Sequence, residues 1–454
     1  MANIFIYDEF APEDAAMMQA IYSRRPKSVT EHVDKVKETG SGKFMEKFYV
    51  GYGHQSIADC GSTTMFIEQI SILADKAIQD WPLYSGQETS TRYVDMSKQP
   101  IIDPLNTDET KEILKEWMDF YIKSQEKVQA HLKEKYPRKE EEKESMYDKA
   151  IEARTFDIMR GFLPAGITTQ LSWHTNLRQA WDKLSGMRYH PLAEVREITN
   201  NIIEKLREKY PHSFSHDEYE DQETYRKYIT EEFNYYLPAR NASPASNALR
   251  SDAGWPNDAG GPEGEVKEYE FSTTIKEEDL TKYEKLLSSR PIKTGLPYFL
   301  GDLGQVQFKF LLDYGSFRDI QRHRSGNGRM PLLTTNYGFN KWYLEELPEE
   351  VRREGEELIA KQIERVKKLD ATDEDRQYYI GLGFNVTNKI TFGLPGAVYT
   401  LELRSGKAVH PTLRKVAHKM HQSLAEKFPK LKLNSDLEQD DWDARRGLQD
   451  IKEK

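Results

Sequence analysis

Apolar side chains recur at three- and four-residue spacing over four long stretches of the chain, with charged side chains between them. This period is typical of amphipathic helices that bury one face. The four predicted helices cover residues 109–135, 191–209, 346–369 and 411–428. The charged stretch 133–149 carries no continuous apolar stripe, so we expect a solvated helix or loop there.

Strand signals are fewer and shorter. Apolar and polar residues partly alternate in Gly61–Ile70 and in Gln305–Tyr314, which predicts two strands. Leu177, Trp181 and Leu184 follow helical spacing and Leu171 precedes them, so the segment around these residues is expected to form one amphipathic helix. Long helices with short strands make α+β the predicted fold class.

The chain divides into two halves of similar layout. Residues 241–264 are rich in Gly, Pro, Asn and Ser and predict a linker between a domain at 1–240 and another at 265–454. His190-Pro191 and His410-Pro411 each precede a helical run at the end of their half. Further paired segments occur in the same order, which predicts an internal duplication into two whole domains, each a small, mostly antiparallel sheet packed with long helices.

Composition narrows the class of protein. The 454 residues carry a net charge of −10, which argues against an extended basic surface for nucleic acid or anionic membranes. No apolar run approaches the length of a membrane span, and we expect a cytoplasmic protein. Cys60 is the single cysteine, so no disulfide forms within the chain, and it is expected to be a small apolar residue rather than a nucleophile. No metal site is predicted, because the histidines near residue 418 lack acidic or cysteine partners at ligand spacing.

Candidate chemistry lies in the first half. The loop 85–93 combines glycine, hydroxyl side chains and Arg92, a composition that suits phosphate binding but also an ordinary polar turn. Arg160, Arg178 and Arg188 lie among aromatic and small polar residues. That setting favours a partly buried anionic or heteroaromatic ligand over open solvent.

These motifs together resemble those of the flavin-dependent thymidylate synthases. The resemblance rests on a Gly-His segment, a Ser-x-Arg loop, an Arg-x-x-Leu-Pro motif, an Asn-x-Arg motif, a later arginine and, from the second half, an Arg-His-Arg triplet. In this chain they are Gly53-His54-Gln55-Ser56, Gln87–Tyr93, Arg160–Pro164, Asn176 with Arg178, Arg188, and Arg322-His323-Arg324.

The resemblance implies residue roles. The phosphate of the dUMP substrate would be held by Ser90, Arg92 and Arg160, with Glu88 nearby and Gln87 in the same loop. The base would contact Arg188 and Asp319, which lies three residues before the triplet. FAD would be bound by His54, Ser56, Asn176, Arg178, Arg322, His323 and Arg324, and catalytic roles would fall to Arg188, Arg322 and His323.

The resemblance also implies a reaction and an assembly. The family transfers a methylene group from methylenetetrahydrofolate to C5 of dUMP, with a hydride from reduced flavin, and NADPH reduces the flavin. Family sites lie between subunits of a homotetramer. Two chains, each with two fused copies, would therefore form a homodimer with four copies in all, a pseudo-tetramer. Each site would take its pocket from one copy and its triplet from the other.

Departures from the family pattern leave alternatives open. Asp319 stands where the family has glutamine, and an ionised carboxylate accepts hydrogen bonds but donates none, which favours a base with an exocyclic amine. The second half lacks the Gly-His segment, and counting back from His410 puts Gly396 and Val398 at the Asn-x-Arg positions, so its own pocket is expected to be inactive. The predicted function is conversion of dUMP to dTMP. The same chemistry on dCMP, and a non-catalytic flavin- or nucleotide-binding protein, are the alternatives.

Overall fold

The computed structural model describes residues 10–23, 29–51, 54–216, 218–237, 267–439 and 442. The predicted linker 241–264 and Gly53 lie outside the described residues. Among the helices of the described ranges, none combines the length and the apolar character that a bilayer crossing requires.

Helices make up most of the regular structure. In chain order they are α1 Pro12–Tyr22, α2 Val29–Thr39, α3 Gly42–Phe44, α4 Gln55–Ala58, α5 Ile72–Gln79, α6 Asp108–Lys135, α7 Glu144–Met159, α8 Leu177–Met187, α9 Ala193–Lys209, α10 Glu220–Phe233, α11 Glu277–Leu280, α12 Glu284–Ser288, α13 Tyr314–Ile320, α14 Lys341–Glu345, α15 Glu349–Lys368, α16 Asp373–Arg376, α17 Leu394–Arg404 and α18 Pro411–Lys427. A π-helical turn covers Met45–Gly51.

The strands form two small sheets. They are β1 Ser62–Ser71, β2 Ser85–Glu88, β3 Thr168–Asn176, β4 Tyr269–Thr273, β5 Gln305–Asp313, β6 Asn327–Gly328 and β7 Asn385–Gly393. The orders are β1-β3-β2 and β4-β5-β7-β6. The described pairings are antiparallel, and β5 and β7 pair along their whole length, from Gln305 opposite Gly393 to Asp313 opposite Asn385. The α+β class with two small antiparallel sheets is therefore confirmed.

The four long helices were predicted to within a few residues, and the two predicted strands correspond to β1 and β5. The charged stretch 133–149 comprises the end of α6, a loop at 136–143 and the start of α7. One prediction was wrong: the segment before Leu177 is strand β3, not the start of an amphipathic helix. Its side chains alternate in burial, as in a strand with one covered face, and the helix begins only where the Asn176 side chain accepts a hydrogen bond from the Gln179 amide at 2.8 Å.

The chain folds into two compact units. The first comprises residues 1–68, 83–88 and 170–234, and the second comprises 69–82, 89–169 and 235–454. The predicted domains at 1–240 and 265–454 stay a prediction.

The first unit has an apolar cluster between α1 and α2. Its buried members are Met17, Met18, Ile21, Val33 and Val36, and Phe10 and Phe44 pack against it. Helix α8 packs against α9 and α10.

The second unit is built around long helices and the four-stranded sheet. Helix α6 packs against α7 and α15, and α18 packs against α17 and β5. The Trp117 side chain is fully buried and donates a hydrogen bond to the Tyr379 carbonyl at 3.0 Å. Helix α6 begins at a capping box between Thr107 and Thr110.

Two loops of the second unit exchange hydrogen bonds in a symmetric way. Each follows a short 3₁₀ turn, Arg160–Phe162 or Gln377–Tyr379, and each leads into a strand, β3 or β7. The four bonds form two matching pairs: Ala165 N to Ile380 O with Leu382 N to Leu163 O, and Gly166 N to Tyr378 O with Gly383 N to Gly161 O. The two segments are thus related by a local two-fold axis, which makes Arg160 and Gln377 equivalent.

The same relation extends to two strand–helix junctions. Ser71 caps α5 and Asp313 caps α13, each through its side chain. The first helical amide of each, Ile72 N and Tyr314 N, donates to the loop carbonyl at the equivalent position, Ile167 O and Phe384 O respectively. Counted along the chain from these junctions, Asp80 in the first half corresponds to Arg322 in the second.

Candidate functional site

Four arginines and three aspartates form a cluster in the second unit, which we call the arginine cluster. Its members are Arg92, Arg160, Arg322, Arg404, Asp157, Asp313 and Asp319. The first two arginines come from the first half of the chain and the other two from the second half.

Arg92 is fixed by a buried carboxylate. Its Nε lies 2.6 Å from Asp157 Oδ1 and its Nη2 lies 3.2 Å from Oδ2, and Nη2 also donates to the Ala408 carbonyl at 3.1 Å. Burial raises the pKa of Asp157, and the positive charge of Arg92 opposes that rise. Such a two-point ion pair fixes the plane of the guanidinium. Nη1 is then the nitrogen of Arg92 that is left for a ligand.

The loop that carries Arg92 is held by an arginine from the second half. Arg318 donates to the Thr91 hydroxyl at 3.0 Å and to the Thr89 carbonyl at 3.3 Å. The Ser90 hydroxyl accepts from the Arg92 amide at 3.2 Å. The loop therefore keeps its shape through contacts from both halves.

Arg160 lies deeper, at the first turn after α7. Its Nη2 donates to the Ser316 hydroxyl at 2.6 Å, and its Nε donates to Tyr343 at 3.3 Å. Asp313 is 3.7 Å away and accepts a hydrogen bond from Tyr343 at 2.6 Å. His410 Nδ1 lies 3.2 Å from the Ser316 hydroxyl, and burial lowers the pKa of this imidazole well below its ordinary range.

Asp319 lies beside the two second-half arginines of the cluster. Its Oδ1 lies 3.6 Å from Arg404 and 4.0 Å from Arg322. Burial alone would raise the pKa of this carboxyl, but the charges of Arg404, Arg92, Arg160 and Arg322 outweigh burial and hold the pKa below its ordinary value. The arginines of both halves therefore act on one carboxylate.

The histidine of the Arg-His-Arg triplet is locked in place. Arg404 Nε donates to His323 Nε2 at 2.7 Å, and His323 Nδ1 lies 2.9 Å from the Thr400 hydroxyl. Burial, together with the charge of Arg404, lowers the pKa of His323 to about 3. This imidazole is therefore neutral at physiological pH.

Exposure rises from one end of the arginine cluster to the other. Asp157 and Asp313 are fully buried, whereas the Arg322 side chain is 37% exposed. A ligand would therefore enter past Arg322.

A cavity of about 180 Å³ lies beside the triplet. Trp81 and Phe317 give it aromatic walls, and Arg324, Arg329 and Lys389 give it positive charge. Two buried polar atoms in its lining, Trp81 Nε1 and Gln321 Oε1, have no hydrogen-bond partner within the described residues. An unpaired buried donor beside an unpaired buried acceptor suits a heteroaromatic ring that carries both an acceptor and a donor on its edge.

The first unit holds the remaining predicted cofactor and base residues. Arg178 is paired with Asp59 at 2.7 Å and Asp182 at 2.8 Å. Arg188 is paired with Glu218 at 2.6 Å and Glu223 at 2.7 Å. These ion pairs occupy much of the donor capacity of both guanidinium groups.

The other predicted residues of the first unit lie on short elements. His54 and Ser56 are exposed at the start of α4. Gln87 and Glu88 lie in β2 opposite Ser172 and Leu171.

Cys60 is a free, partly buried thiol whose Sγ lies 3.5 Å from the Ser56 carbonyl. Burial, with the negative charge of Asp59, raises its pKa, which is the opposite of what an activated nucleophile needs. In the part of the chain that the structure describes, no three His, Cys, Asp or Glu side chains are grouped so that they could hold a metal ion.

The local two-fold axis relates the arginine cluster to a second place in the fold, where different side chains stand at the equivalent positions. Gln377 stands there instead of Arg160, and its amide donates to the buried Tyr235 hydroxyl at 3.1 Å and accepts from the Leu333 amide at 3.0 Å. Asp80 stands there instead of Arg322 and accepts from the Met330 amide at 3.2 Å. In this second place a neutral amide and a carboxylate therefore stand where the arginine cluster has the guanidinium groups of Arg160 and Arg322.

The strand–helix junctions also correct an alignment. Asn176 is the N-cap of α8 and accepts a hydrogen bond through its side chain, whereas Gly393 holds the N-cap position of α17 after β7 without a side-chain bond. The second-half positions that match Asn176 and Arg178 are therefore Gly393 and Pro395, not Gly396 and Val398. Neither can supply the side chains of an Asn-x-Arg motif.

Comparison with known proteins gives the family of the first half. Residues 8–212 match the family model Thy1, described as thymidylate synthase complementing protein. The sequence is 26% identical over 427 residues to a UPF0159 protein of Chlamydia muridarum, covering 86% of this chain and 79% of that protein. It is 22% identical over 474 residues to a UPF0159 protein of Thermoplasma acidophilum, covering 92% and 94%.

Among solved structures, a flavin-dependent thymidylate synthase, ThyX, from Helicobacter pylori complexed with FAD and dUMP is similar to 45% of this chain and 94% of its own, at 15% identity and a TM-score of 0.28. The match of residues 8–212 to the Thy1 family model bears out the motif resemblance for that part of the chain.

Several functional candidates were not predicted from the sequence. Asp157, Ser316, Tyr343 and Arg404 gave no motif signal, because each acquires its role from partners distant along the chain. The structure places Arg404 against Asp319 and His323.

Proposed function

We propose that this chain is a flavin-dependent enzyme that methylates a pyrimidine deoxynucleotide, with conversion of dUMP to dTMP as the reference reaction. The observation that carries the proposal is that one cluster holds arginines of both halves. Arg92 and Arg160 from the first half donate to Ala408 and Ser316 of the second half. Arg404 and Arg322 lie 3.6 and 4.0 Å from Asp319. Neither half holds this set alone. In the reaction a methylene group passes from methylenetetrahydrofolate to C5 of the base, a hydride completes the methyl group, and C5 loses its proton.

The arginine cluster suits a nucleotide monophosphate. Arg92 offers Nη1, the guanidinium nitrogen that is not engaged by Asp157 or by the Ala408 carbonyl, and each charge-assisted contact to a phosphate oxygen contributes about 1.5–3 kcal/mol. Arg322 is the most exposed arginine of the cluster and suits the outer part of the ligand. The partial neutralisation by Asp157 and Asp313 limits the binding of small inorganic anions that lack a base.

The residues fit FAD in part. The unpartnered donor of Trp81 and acceptor of Gln321 lie in the cavity that Arg324, Arg329 and Lys389 rim, so these residues would hold the ring and the phosphates. FAD, reduced by NADPH, would supply the hydride. The chain's own part is to position the ring, and His323, fixed by Arg404, acts as a neutral spacer there.

We further propose that the two halves are tandem copies with one working site per chain. The hydrogen bonds exchanged between the loops and the matching strand–helix junctions support two copies. In the second place Gln377 and Asp80 replace the two cations that correspond to Arg160 and Arg322. A homodimer would then be a pseudo-tetramer with two sites.

A spectroscopic and turnover experiment tests the proposal. Purified protein is expected to show a flavin absorption spectrum after incubation with FAD, and to form dTMP from dUMP, methylenetetrahydrofolate and NADPH. Arg92→Ala and Arg322→Ala should each lower turnover at least tenfold, whereas Arg353→Ala, on the exposed face of α15, should leave it unchanged. FAD uptake without product from any pyrimidine nucleotide would favour a non-catalytic binding protein, and no FAD uptake would remove the flavoenzyme assignment.

A further inference from the structure

The carboxylate of Asp319 has unused acceptor capacity. Within the described residues no hydrogen bond reaches its carboxylate oxygens, and the guanidinium nitrogens of Arg404 and Arg322 lie at 3.6 and 4.0 Å. The side chain is 18% exposed, which is more than Arg92, Asp157 or Arg160. Its free oxygens therefore stand at the open side of the arginine cluster.

Arg404 gives Asp319 a fixed position. Its Nη2 donates to the Asp319 carbonyl at 2.6 Å, and its Nε donates to His323. The guanidinium therefore ties the last turn of α13 to α17. A carboxylate mounted on a tied helix end can select a ligand by geometry as well as by charge.

The ionisation state of Asp319 determines what it can bind. The surrounding arginines keep the pKa of this carboxyl below its ordinary value, so it is ionised at neutral pH. An ionised carboxylate has acceptors only and no donor. A ligand group that faces it must donate a hydrogen bond.

We infer that Asp319 selects the base and that the preferred nucleotide is an aminopyrimidine deoxynucleotide, with dCMP as the simplest member. This inference rests on the proposed function, which supplies a pyrimidine nucleotide in the arginine cluster. The exocyclic amine of cytosine donates to Asp319, while the phosphate accepts from Nη1 of Arg92, the nitrogen that Asp157 and Ala408 leave unengaged. Uracil presents a carbonyl oxygen at the same position, and two acceptors then face each other.

The competing explanation is that Asp319 only balances the charge of Arg404 and Arg322. In that case the loss of its charge would change the affinity for all nucleotides by the same factor. If Asp319 reads the base, its replacement changes the ratio between dCMP and dUMP. The ratio therefore separates the two explanations.

The test is isothermal calorimetry of the full-length protein, with and without FAD, with dCMP and dUMP as ligands. Wild-type protein is expected to bind dCMP roughly ten- to a hundredfold more tightly than dUMP, the range of one unsatisfied buried polar contact. Asp319→Asn and Asp319→Gln, whose amides both donate and accept, should bring the two affinities to within a few fold. Asp302→Asn, at an exposed aspartate, is the matched control and should keep the wild-type ratio.

Each outcome has one meaning. Equal or tighter binding of dUMP by the wild-type protein overturns the aminopyrimidine preference and leaves the proposed function intact. An unchanged ratio in both Asp319 variants, with thermal unfolding like that of wild type, assigns Asp319 to charge balance alone and overturns the inference. Absence of binding of both nucleotides at millimolar concentration, with FAD present, overturns the proposed function and the inference with it.

Discussion

Arg404 donates a hydrogen bond from Nε to Nε2 of His323 at 2.7 Å. Because a guanidinium only donates, Nε2 must be the unprotonated nitrogen, and the proton lies on Nδ1, directed at the Thr400 hydroxyl. A cation in contact with the ring also opposes a second proton. The central residue of the triplet is therefore a positioned neutral group rather than an acid or base in this fold.

Removal of that arginine should release the imidazole. In wild-type protein the NMR signals of His323 are expected to show no titration between pH 8 and pH 5, since its pKa is lowered to about 3. Arg404→Ala removes the nearest positive charge and opens the site to water, so the pKa should rise towards the ordinary value. A midpoint for wild-type His323 above pH 5 would contradict the geometry.

Buried neutral histidines should make stability depend on pH. The pKa values of His190 and His323 are lowered to about 3, mainly by burial, and that of His410 is lowered well below its ordinary value. Below pH 6.5 the unfolded chain binds protons that the folded chain does not, so the free energy of unfolding falls as pH falls.

Each of the three histidines contributes about 1.4 kcal/mol per pH unit to that slope below its unfolded pKa. Urea unfolding at pH 7.5, 6.5 and 5.5 measures the slope, and His410→Gln should reduce it by one histidine's share. A constant free energy of unfolding across this range would be inconsistent with neutral buried imidazoles.

Loss of Arg92 should cost stability as well as binding. Arg92→Ala leaves Asp157 as a fully buried carboxylate without its two-point partner, and breaking such pairs destabilises proteins by about 3–5 kcal/mol. The double variant Arg92→Ala/Asp157→Asn removes the unpaired charge and should recover part of this loss in urea unfolding, while nucleotide binding stays weak. If the double variant is less stable than the single one, the carboxylate is not the source of the cost.

The paired loops should tolerate no side chain at Gly166. A Cβ there would lie 2.7 Å from the Ile102 carbonyl oxygen and 2.9 Å from the Tyr378 carbonyl oxygen, and backbone atoms cannot move aside easily. Gly166→Ala should lower the free energy of unfolding by roughly 1–3 kcal/mol. Gly186→Ala is the control, because it lies in α8 with no atom within 4 Å of the new Cβ, and alanine there should stabilise the helix by roughly 0.5–1 kcal/mol. Equal effects of the two changes would argue against close loop pairing.

The sequence by itself determined the long helices, strands β1 and β5, and the family of the first half. Helical periodicity in α6, α9, α15 and α18 is a local property, since each helix buries one face whatever its partner is. The motifs around Arg92 and Arg160 are likewise local runs of residues. Strand β3 was missed because the helical period of Leu177, Trp181 and Leu184 was extended back to Leu171, which belongs to the strand.

Tertiary structure alone decided which polar side chains contact each other. Arg92 binds Asp157, Arg160 binds Ser316 and Arg404 binds His323. The partners in each pair are far apart in the chain, and no spacing rule links them. The backbone bonds between the loops after Arg160 and Gln377 bring the halves together, and only then do the charges of arginines from both halves lower the pKa of Asp319. Periodicity fixes elements because burial acts residue by residue, whereas a binding site depends on where separate elements are packed.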